Sequence, residues 1–466
     1  VLVAQQRTSI IFNTDTPHLK LMGSLYDNCQ ETLVQLMEFL GGAVTSLAEF
    51  ATIMPPLPVL SQKYRLEPEC IFLMYRPILK SLALTPIPRP GEGDPEQQKK
   101  RDKLALDVGP VKHSWDDLLK VTADMLPAST WNCLSPELYF TFWSLSLYDL
   151  HVPKERYAAE IRKQQSLIQA VDDGRGGLDA SKARKEKERL AGVVEKLQAE
   201  LDKQTKHVAA VQKRLVAEKD GWLLNCSADL RPETMVQLLQ TCILPRVMFT
   251  YADASYCAKF VHKLHEMDTP YFSTLQYYDR ALKDLSQLIF SCTEYEAARM
   301  GRFLAETLEL LAYWKSDEKV YNAECKCRAG FCITFTDPTS KRASYEEFVK
   351  VSFRWHNKMT KSLGMCLESK EYVHIRNALI VLSKIVKVFP RIQKHAVHLE
   401  KRVAKVRDAD EREDLQTLAK SYYAMLTVVK PNMISEADFS PFPSDKEKAK
   451  EEKAKEEKDK EAEAPS

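Results

Sequence analysis

Cysteine and histidine are the residue types in this sequence that could hold a metal ion. They form one group of three cysteines and two histidine pairs: Cys325, Cys327, Cys332, His262, His265, His395 and His398. A structural zinc site takes four ligands, usually arranged as two regularly spaced pairs. A spacing of three residues places two imidazoles on one helix face, but no third ligand is indicated for either histidine pair. We therefore expect ordinary buried or surface residues, with no metal and no other cofactor.

The motifs of common enzyme classes are missing from the sequence. It contains no Gly-x-x-x-x-Gly-Lys phosphate loop, no Gly-x-Ser-x-Gly nucleophile elbow and no His-Glu-x-x-His zinc motif. Neighbouring carboxylates occur, as at Glu346 and Glu347, but charged residues make up 28% of the chain. Such pairs are expected on the surface. We predict no catalytic residues, no small-molecule substrate and no enzymatic activity.

Positive charge is concentrated in residues 341–407. This basic segment has 16 lysines and arginines and 5 glutamates, a net charge of +11, whereas the whole chain carries +2. A surface of this kind attracts phosphate backbones. The candidate contact residues are Lys341, Arg342, Arg354, Lys358, Lys361, Arg391, Lys394, Lys401, Arg402, Lys405 and Arg407.

Two interpretations of the basic segment remain open. It contacts RNA, or its charge is balanced by acidic neighbours in the fold or by an acidic partner subunit. No aromatic motif of an RNA-recognition fold accompanies it, so reading of a specific sequence is not expected. A second basic run, Lys182–Arg189, is either a nuclear-import patch or, in the interpretation we favour, the charged start of a coiled coil.

The elements that would position these residues are helical. In the segment Leu134–Leu150, Ser135 can cap a helix, and Pro136 and Glu137 suit its first turn. Residues 138–150 are apolar or aromatic on almost every side, and a helix with that pattern must be buried on several sides. We expect it to lie inside a larger helical array.

A heptad pattern follows in residues 190–222. Its apolar seam positions are Leu190, Val194, Leu197, Leu201, Val208, Val211 and Leu215. The 4-3 spacing continues through Gln204, Glu218 and Trp222, and charged residues fill the other positions. This pattern is typical of a coiled coil. The helix either protrudes and pairs with a partner, or lies on its own domain.

Low glycine content, 14 residues in 466, and few alternating patterns predict an all-α protein. Many helices with short connections and no fixed sequence period favour an irregular α-solenoid of the HEAT or armadillo type, with a long coiled-coil helix. The predicted division is a helical segment at 1–80, a linker at 81–110, a helical array at 111–173, a coiled-coil helix at 174–222, a second array at 223–435 and a charged disordered tail at 436–466.

The cysteine content and the apolar runs of the sequence indicate the cellular compartment of the protein. The 11 cysteines are scattered, which favours reduced thiols in the cytosol or nucleus. No apolar run reaches the length of a membrane span, about 18 residues, so no membrane partner is expected. We interpret the N-glycosylation sequon at Asn225 as accidental. Because the sequence begins at Val1, we expect it to be part of a longer protein.

Several segments resemble the family of large subunits of the THO complex. They are Val3–Arg7, Leu134–Leu150, Ser291–Arg299, Gly301–Leu304 and Glu371–Lys384. They occur in the order found in that family and cover most of residues 1–435. None of these segments is a catalytic motif. The resemblance is specific because several long segments match in the same order.

The resemblance implies a nuclear, non-enzymatic scaffold with an elongated α-solenoid fold. It implies partners as well: other THO subunits, a DEAD-box RNA helicase of the export pathway, and RNA. Members act within the transcription–export complex, which couples transcription to mRNA processing and nuclear export. Only the end of the family's eIF4G-like helicase-binding domain is expected here, within residues 1–80. The mixed-charge residues 445–463 do not match the family's basic tail.

Overall fold

Helices dominate the computed structural model, as the sequence predicts. It describes residues 1–13, 19–44, 46–89, 95–173, 179–223, 231–283, 285–333 and 340–442. The sequon at Asn225 lies outside these ranges, and so does the predicted tail 436–466 from residue 443 onward, whereas its first residues include a short helix at Glu436–Phe439. The fold is all-α apart from one small hairpin in the described residues, and the solenoid arrangement stays a prediction.

The α-helices of the described residues are α1 (Leu2–Asn13), α2 (Leu19–Phe39), α3 (Leu47–Ile53), α4 (Pro68–Leu79), α5 (Pro95–Asp102), α6 (Trp115–Asp124), α7 (Pro136–Ser144), α8 (Leu147–Leu150), α9 (Lys154–Asp172), α10 (Ala180–Glu218), α11 (Arg231–Gln237), α12 (Leu244–Val247), α13 (Tyr251–Glu266), α14 (Thr274–Lys283), α15 (Leu285–Ser291), α16 (Glu294–Ser316), α17 (Glu318–Glu324), α18 (Tyr345–Leu367), α19 (Tyr372–Ile385), α20 (Gln393–Ala409), α21 (Glu413–Val429) and α22 (Glu436–Phe439). Three π-helical segments span Leu40–Val44, Val59–Lys63 and Leu238–Ile243. Short 3-10 turns span Lys80–Leu82, Ala128–Asn132, Lys219–Gly221, Ala329–Phe331 and Lys430–Asn432. No helix within the described ranges is long and apolar enough to cross a membrane.

An antiparallel β-hairpin, β1 (Leu104–Val108) and β2 (Val111–Ser114), is the feature that the sequence analysis did not predict. Gly109 occupies its turn with a φ of +56°, a conformation that glycine adopts without steric cost. Leu106 is buried, so the hairpin has an apolar side. Its strands are only five and four residues long, and so short an alternation does not stand out in the sequence.

The chain divides into two compact units. Unit 1 comprises Val1–Glu38, Asn132–Leu134 and the residues from Leu223 onward. Unit 2 comprises Phe39–Trp131 and Ser135–Trp222. Each has its own apolar core.

Helix α7 forms the centre of the core of unit 2. Ser135 caps it by accepting a hydrogen bond from the backbone N–H of Leu138. All residues from Leu138 to Ser144 are buried. Trp143 stacks on Phe72 of α4 with the ring centroids 5.7 Å apart. The prediction that this helix is buried on several sides is confirmed, because side chains around its whole circumference are buried.

In unit 1, α16 and α19 pack closely together. A β-carbon added at Gly301 of α16 would lie 2.7 Å from Cβ of Lys384, so only glycine permits this approach. The apolar stripe of α19 includes Ile375, Leu379 and Leu382, and all three are buried. This closely packed pair of helices contributes to the apolar core of the unit.

Candidate interaction surfaces

Helix α10 carries the predicted heptad seam, and its partner is α9 of the same unit. Near one end of the pair, the Tyr157 hydroxyl donates to Oε1 of Gln204 over 3.3 Å. Near the other end, Nζ of Lys187 lies 2.8 Å from the carboxylate of Asp172. The start of α9 therefore contacts the C-terminal half of α10, and the end of α9 contacts the first turns of α10. The two helices are antiparallel.

Burial along the seam is uneven. Leu190, Val211 and Leu215 are buried, whereas Val194, Leu197, Leu201 and Val208 are half-buried. Helix α9 has no fully buried residue. An open groove of about 610 Å³ runs between the helices and includes Ile161, Ile168 and Val194 in its lining. The middle of the pair therefore exposes part of its apolar surface, while the C-terminal part of α10 packs into the core of unit 2.

Two polar residues that interrupt the seam make hydrogen bonds within unit 2. The Gln204 side chain donates to the backbone oxygen of His151 over 3.1 Å. Glu218 accepts from the backbone N–H of Ile87 over 2.7 Å and pairs with Arg214 over 2.9 Å. Buried polar groups that are fully bonded favour one register over others. These residues fix the position of α10 against the rest of its unit.

Arg214 and Glu218 form a network that the sequence analysis did not single out. Both side chains are almost inaccessible to solvent, at 2% and 6%. The Arg214 guanidinium also donates to the backbone oxygens of Leu82 and Ala83. Glu218 lies at a seam position, but a spacing of four residues between Arg and Glu is also the pattern of an ordinary surface pair, so the sequence did not indicate a buried ion pair.

The histidines and cysteines make ordinary protein contacts. His265 has both ring nitrogens in hydrogen bonds, to Thr274 Oγ1 at 3.0 Å and to the backbone oxygen of Glu324 at 3.1 Å. Burial lowers its pKa to about 4, so the ring is neutral at pH 7. His395 contacts Oδ1 of Asn357 at 2.7 Å. Within the described ranges, no three His, Cys, Asp or Glu side chains are grouped as a metal site would require.

Many cations of the basic segment have acidic partners. Lys358 pairs with Asp279 at 2.9 Å, and Lys394 pairs with Glu436 at 3.2 Å. The remaining ion pairs of the candidate residues are Lys341–Glu347, Arg402–Glu368 and Arg407–Asp408. Arg342 donates to the backbone oxygen of Cys327. Part of the +11 charge is thus balanced inside unit 1.

Arg391, which precedes α20, is exposed and has no ion pair among the described residues. On α18 and α20 themselves, four exposed cations likewise have none. They are Arg354 and Lys361 on α18 and Lys401 and Lys405 on α20. We call these four residues the α18–α20 basic face. Arg354 and Lys361 are seven residues apart, which is two helical turns, so they project from one side of α18.

The packing of α18 on α20 places these cations on a common surface. A β-carbon at Gly364 would lie 3.3 Å from Nε2 of His398, and Arg402 pairs with Glu368. Along this contact, a later residue of α18 meets a later residue of α20, so the two helices are parallel. From the 3.6-residue period of the two parallel helices we infer that Arg354 and Lys361 lie to one side of this contact line and that Lys401 and Lys405 lie on the same side of it.

Comparison with known proteins identifies the family. Residues 131–426 match the Tho2 family model, described as transcription factor/nuclear export subunit protein 2. The chain is 40% identical to THO complex subunit 2 of Arabidopsis thaliana over 457 residues and 38% identical to that of Homo sapiens over 454 residues. Each match covers 94% of this chain. The Saccharomyces cerevisiae protein of that name is 21% identical over 411 residues, which is 87% of the chain.

The matched part of each relative is limited. The chain spans 25% of the Arabidopsis protein and 28% of the human one. The family model covers more than half of this chain and includes α7, α10 and both helices of the basic face. From this match we conclude that the chain belongs to the Tho2 family.

Proposed function

We propose that this chain is a scaffold segment of the THO complex and acts without catalysis in the nucleus. The observation that carries the proposal is the alignment of 94% of its residues with proteins named THO complex subunit 2, from a plant and from mammals. In this role it holds other THO subunits and helps to position a DEAD-box RNA helicase. The assembly then couples transcription to mRNA processing and nuclear export.

The surfaces of the chain suit a scaffold. The half-exposed middle of the α9–α10 pair offers apolar area and charged edges to a partner helix. The α18–α20 basic face offers a separate charged surface in the other unit. A scaffold of this kind stimulates a helicase by binding one arrangement of its two lobes better than the others.

Assembly of the THO complex tests the scaffold role. A large subunit lacking residues 111–435 should fail to co-purify with at least one other THO subunit, because both interaction surfaces are removed. A large subunit lacking only residues 445–463 is the control, since that stretch has no large apolar side chain. Complete assembly by the 111–435 deletion would contradict the proposal.

RNA contact through the α18–α20 basic face is a second candidate function. It is favoured by four exposed cations on one surface without acidic partners among the described residues. Binding would be independent of sequence, because the contacts are to phosphates. The competing assignment for the same face is an acidic partner subunit.

Salt-dependent binding separates these two assignments. Changing Arg354, Lys361, Lys401 and Lys405 to Gln should weaken binding of a single-stranded RNA and lower the salt slope by about 1 for each lost phosphate contact. Changing Lys196, Lys203, Lys206 and Lys213 of α10 to Gln is the matched control, since the charge change is the same. RNA affinity that stays unchanged at low salt, together with loss of a THO subunit, would assign the face to an acidic partner.

A further inference from the structure

A small cavity of about 200 Å³ lies in unit 1, beside the C-terminal end of α16. Its polar lining residues are Lys315, Ser316, Ser352, His356 and Arg391, together with the indole of Trp355, whose N–H donates to Asp279. Phe439 is among the apolar residues that form the remaining wall. The cavity is separate from the α18–α20 basic face, whose four residues do not line it.

The charged residues that line this cavity, Lys315 and Arg391, have one sign. Nζ of Lys315 lies 3.9 Å from the centroid of the Phe439 ring, whose face attracts a cation but does not neutralise it. Neither Lys315 nor Arg391 has an ion pair with a carboxylate in the described part of the chain. Burial, and then repulsion from Arg391, lowers the pKa of Lys315. Lys315 is half-buried and Arg391 is exposed, and these two like charges line the cavity without a carboxylate partner.

Two further polar groups at the cavity lack partners. Ser352 is 4% exposed, and its hydroxyl makes no hydrogen bond within the described residues. The same holds for Nδ1 of His356, whose ring packs on Phe439 with the centroids 4.8 Å apart. Buried polar atoms are nearly always hydrogen-bonded, so each such group needs an explanation. A ligand with several acceptor oxygens would satisfy both groups and the two cations together.

We propose that this cavity binds a compact oxyanion of the phosphate type between Lys315 and Arg391, with the Ser352 hydroxyl as an added donor. Charge-assisted hydrogen bonds from an ammonium and a guanidinium to such an anion are the strong kind. An anion between these groups would also remove the repulsion between Lys315 and Arg391.

The volume of the cavity limits the ligand. Sites for drug-sized organic molecules measure about 300–1,000 Å³, so this cavity is smaller than those. At about 30 Å³ per water it has room for roughly six waters, or for a tetrahedral anion with some water. The phosphoryl group can come as free inorganic phosphate or on a phosphorylated side chain of a partner.

Binding of inorganic phosphate tests the proposal. Calorimetric titration at constant ionic strength should show one saturable site on the intact chain, and thermal unfolding should shift upward with phosphate concentration. Lys315→Gln and Arg391→Gln should each weaken binding at least tenfold. Lys315→Arg, which keeps the charge, should retain most of the affinity. Ser352→Ala should weaken binding with both cations in place.

Lys420→Gln on α21 is the matched control, because it removes one exposed positive charge of unit 1 that lies in neither the cavity nor the α18–α20 basic face. Its affinity for phosphate should stay within twofold of the parent. Titration with O-phospho-L-serine and with L-serine distinguishes the two sources of the phosphoryl group, free phosphate and a phosphorylated side chain. Binding of phosphate alone indicates a site for the free ion, and binding of O-phospho-L-serine but not serine indicates a phosphorylated side chain. The absence of saturable phosphate binding, or an equal loss in Lys420→Gln, would overturn the proposal.

Discussion

Two arginine–glutamate pairs in α10 show how environment decides what a residue does. Arg184–Glu188 and Arg214–Glu218 have the same spacing of four residues and lie on the same helix. The first pair is exposed to solvent, at 83% and 65% of its side-chain area. The second is buried and also bonds the backbone of residues 82 and 83. The first is an ordinary surface pair, and the second joins α10 to the core of unit 2.

The contrast between these pairs gives a prediction. Arg214→Ala should lower the free energy of unfolding of unit 2 by about 3–5 kcal/mol, because it leaves the Glu218 carboxylate buried without its partner. Arg184→Ala removes the same side chain from the exposed pair and should change it by less than about 0.5 kcal/mol. Urea unfolding followed by circular dichroism measures both. Equal effects of the two changes would show that Arg214 is not buried in the folded chain.

At the scale of elements, the α9–α10 pair combines a stable end with an open middle. Val211 and Leu215 have no exposed area, whereas Leu197 and Leu201 are half-buried. The apolar free energy of the seam scales with the area removed from water, so its two parts differ in strength. A helix that is held at one end and half-exposed in the middle is suited to accept a further helix.

The seam can be tested by two double substitutions. Leu197→Asp with Leu201→Asp places two charges in the half-buried middle and should open α9 from α10, seen as faster hydrogen exchange in α9, while unit 2 still folds. Val211→Asp with Leu215→Asp places the same charges where burial is complete, and unit 2 should lose its cooperative unfolding transition. If the first double variant exchanges like the parent, α9 does not depend on this seam.

At the scale of the whole molecule, the described residues form two compact units. The described residues hold no cluster of metal ligands, and the sequence has no phosphate loop or nucleophile elbow. The two units have separate cores, and each carries one of the candidate surfaces. This organisation agrees with the proposed scaffold role in the THO complex.

The scaffold role predicts a division of activity between proteins. The isolated chain should hydrolyse no ATP, and a large subunit that also contains the upstream helicase-binding domain should stimulate the helicase. A coupled ATPase assay measures both. Activity that copurifies with the chain and disappears on a point change within it would contradict the prediction. Full stimulation by a large subunit lacking residues 111–435 would show that this region contributes nothing to the helicase.

The sequence by itself determined the elements whose signals are local. Capping by Ser135 and the apolar residues that follow it fixed a buried α7, and the stripe of Ile375, Leu379 and Leu382 fixed the inner face of α19. The heptads fixed a long helix at α10. These features follow from helix periodicity and end effects, which depend on residues a few positions apart.

Tertiary structure decided which charges and seams find partners, because those pairings join residues that are distant in sequence. Lys358 forms an ion pair with Asp279, whereas Lys361, three residues later, has no ion pair in the described chain. The heptads of α10 are compatible with a seam against another chain or against its own unit, and in the fold α9 of the same unit packs on it. The cavity of Lys315 and Arg391 likewise joins segments 76 positions apart, so no local pattern could have indicated it.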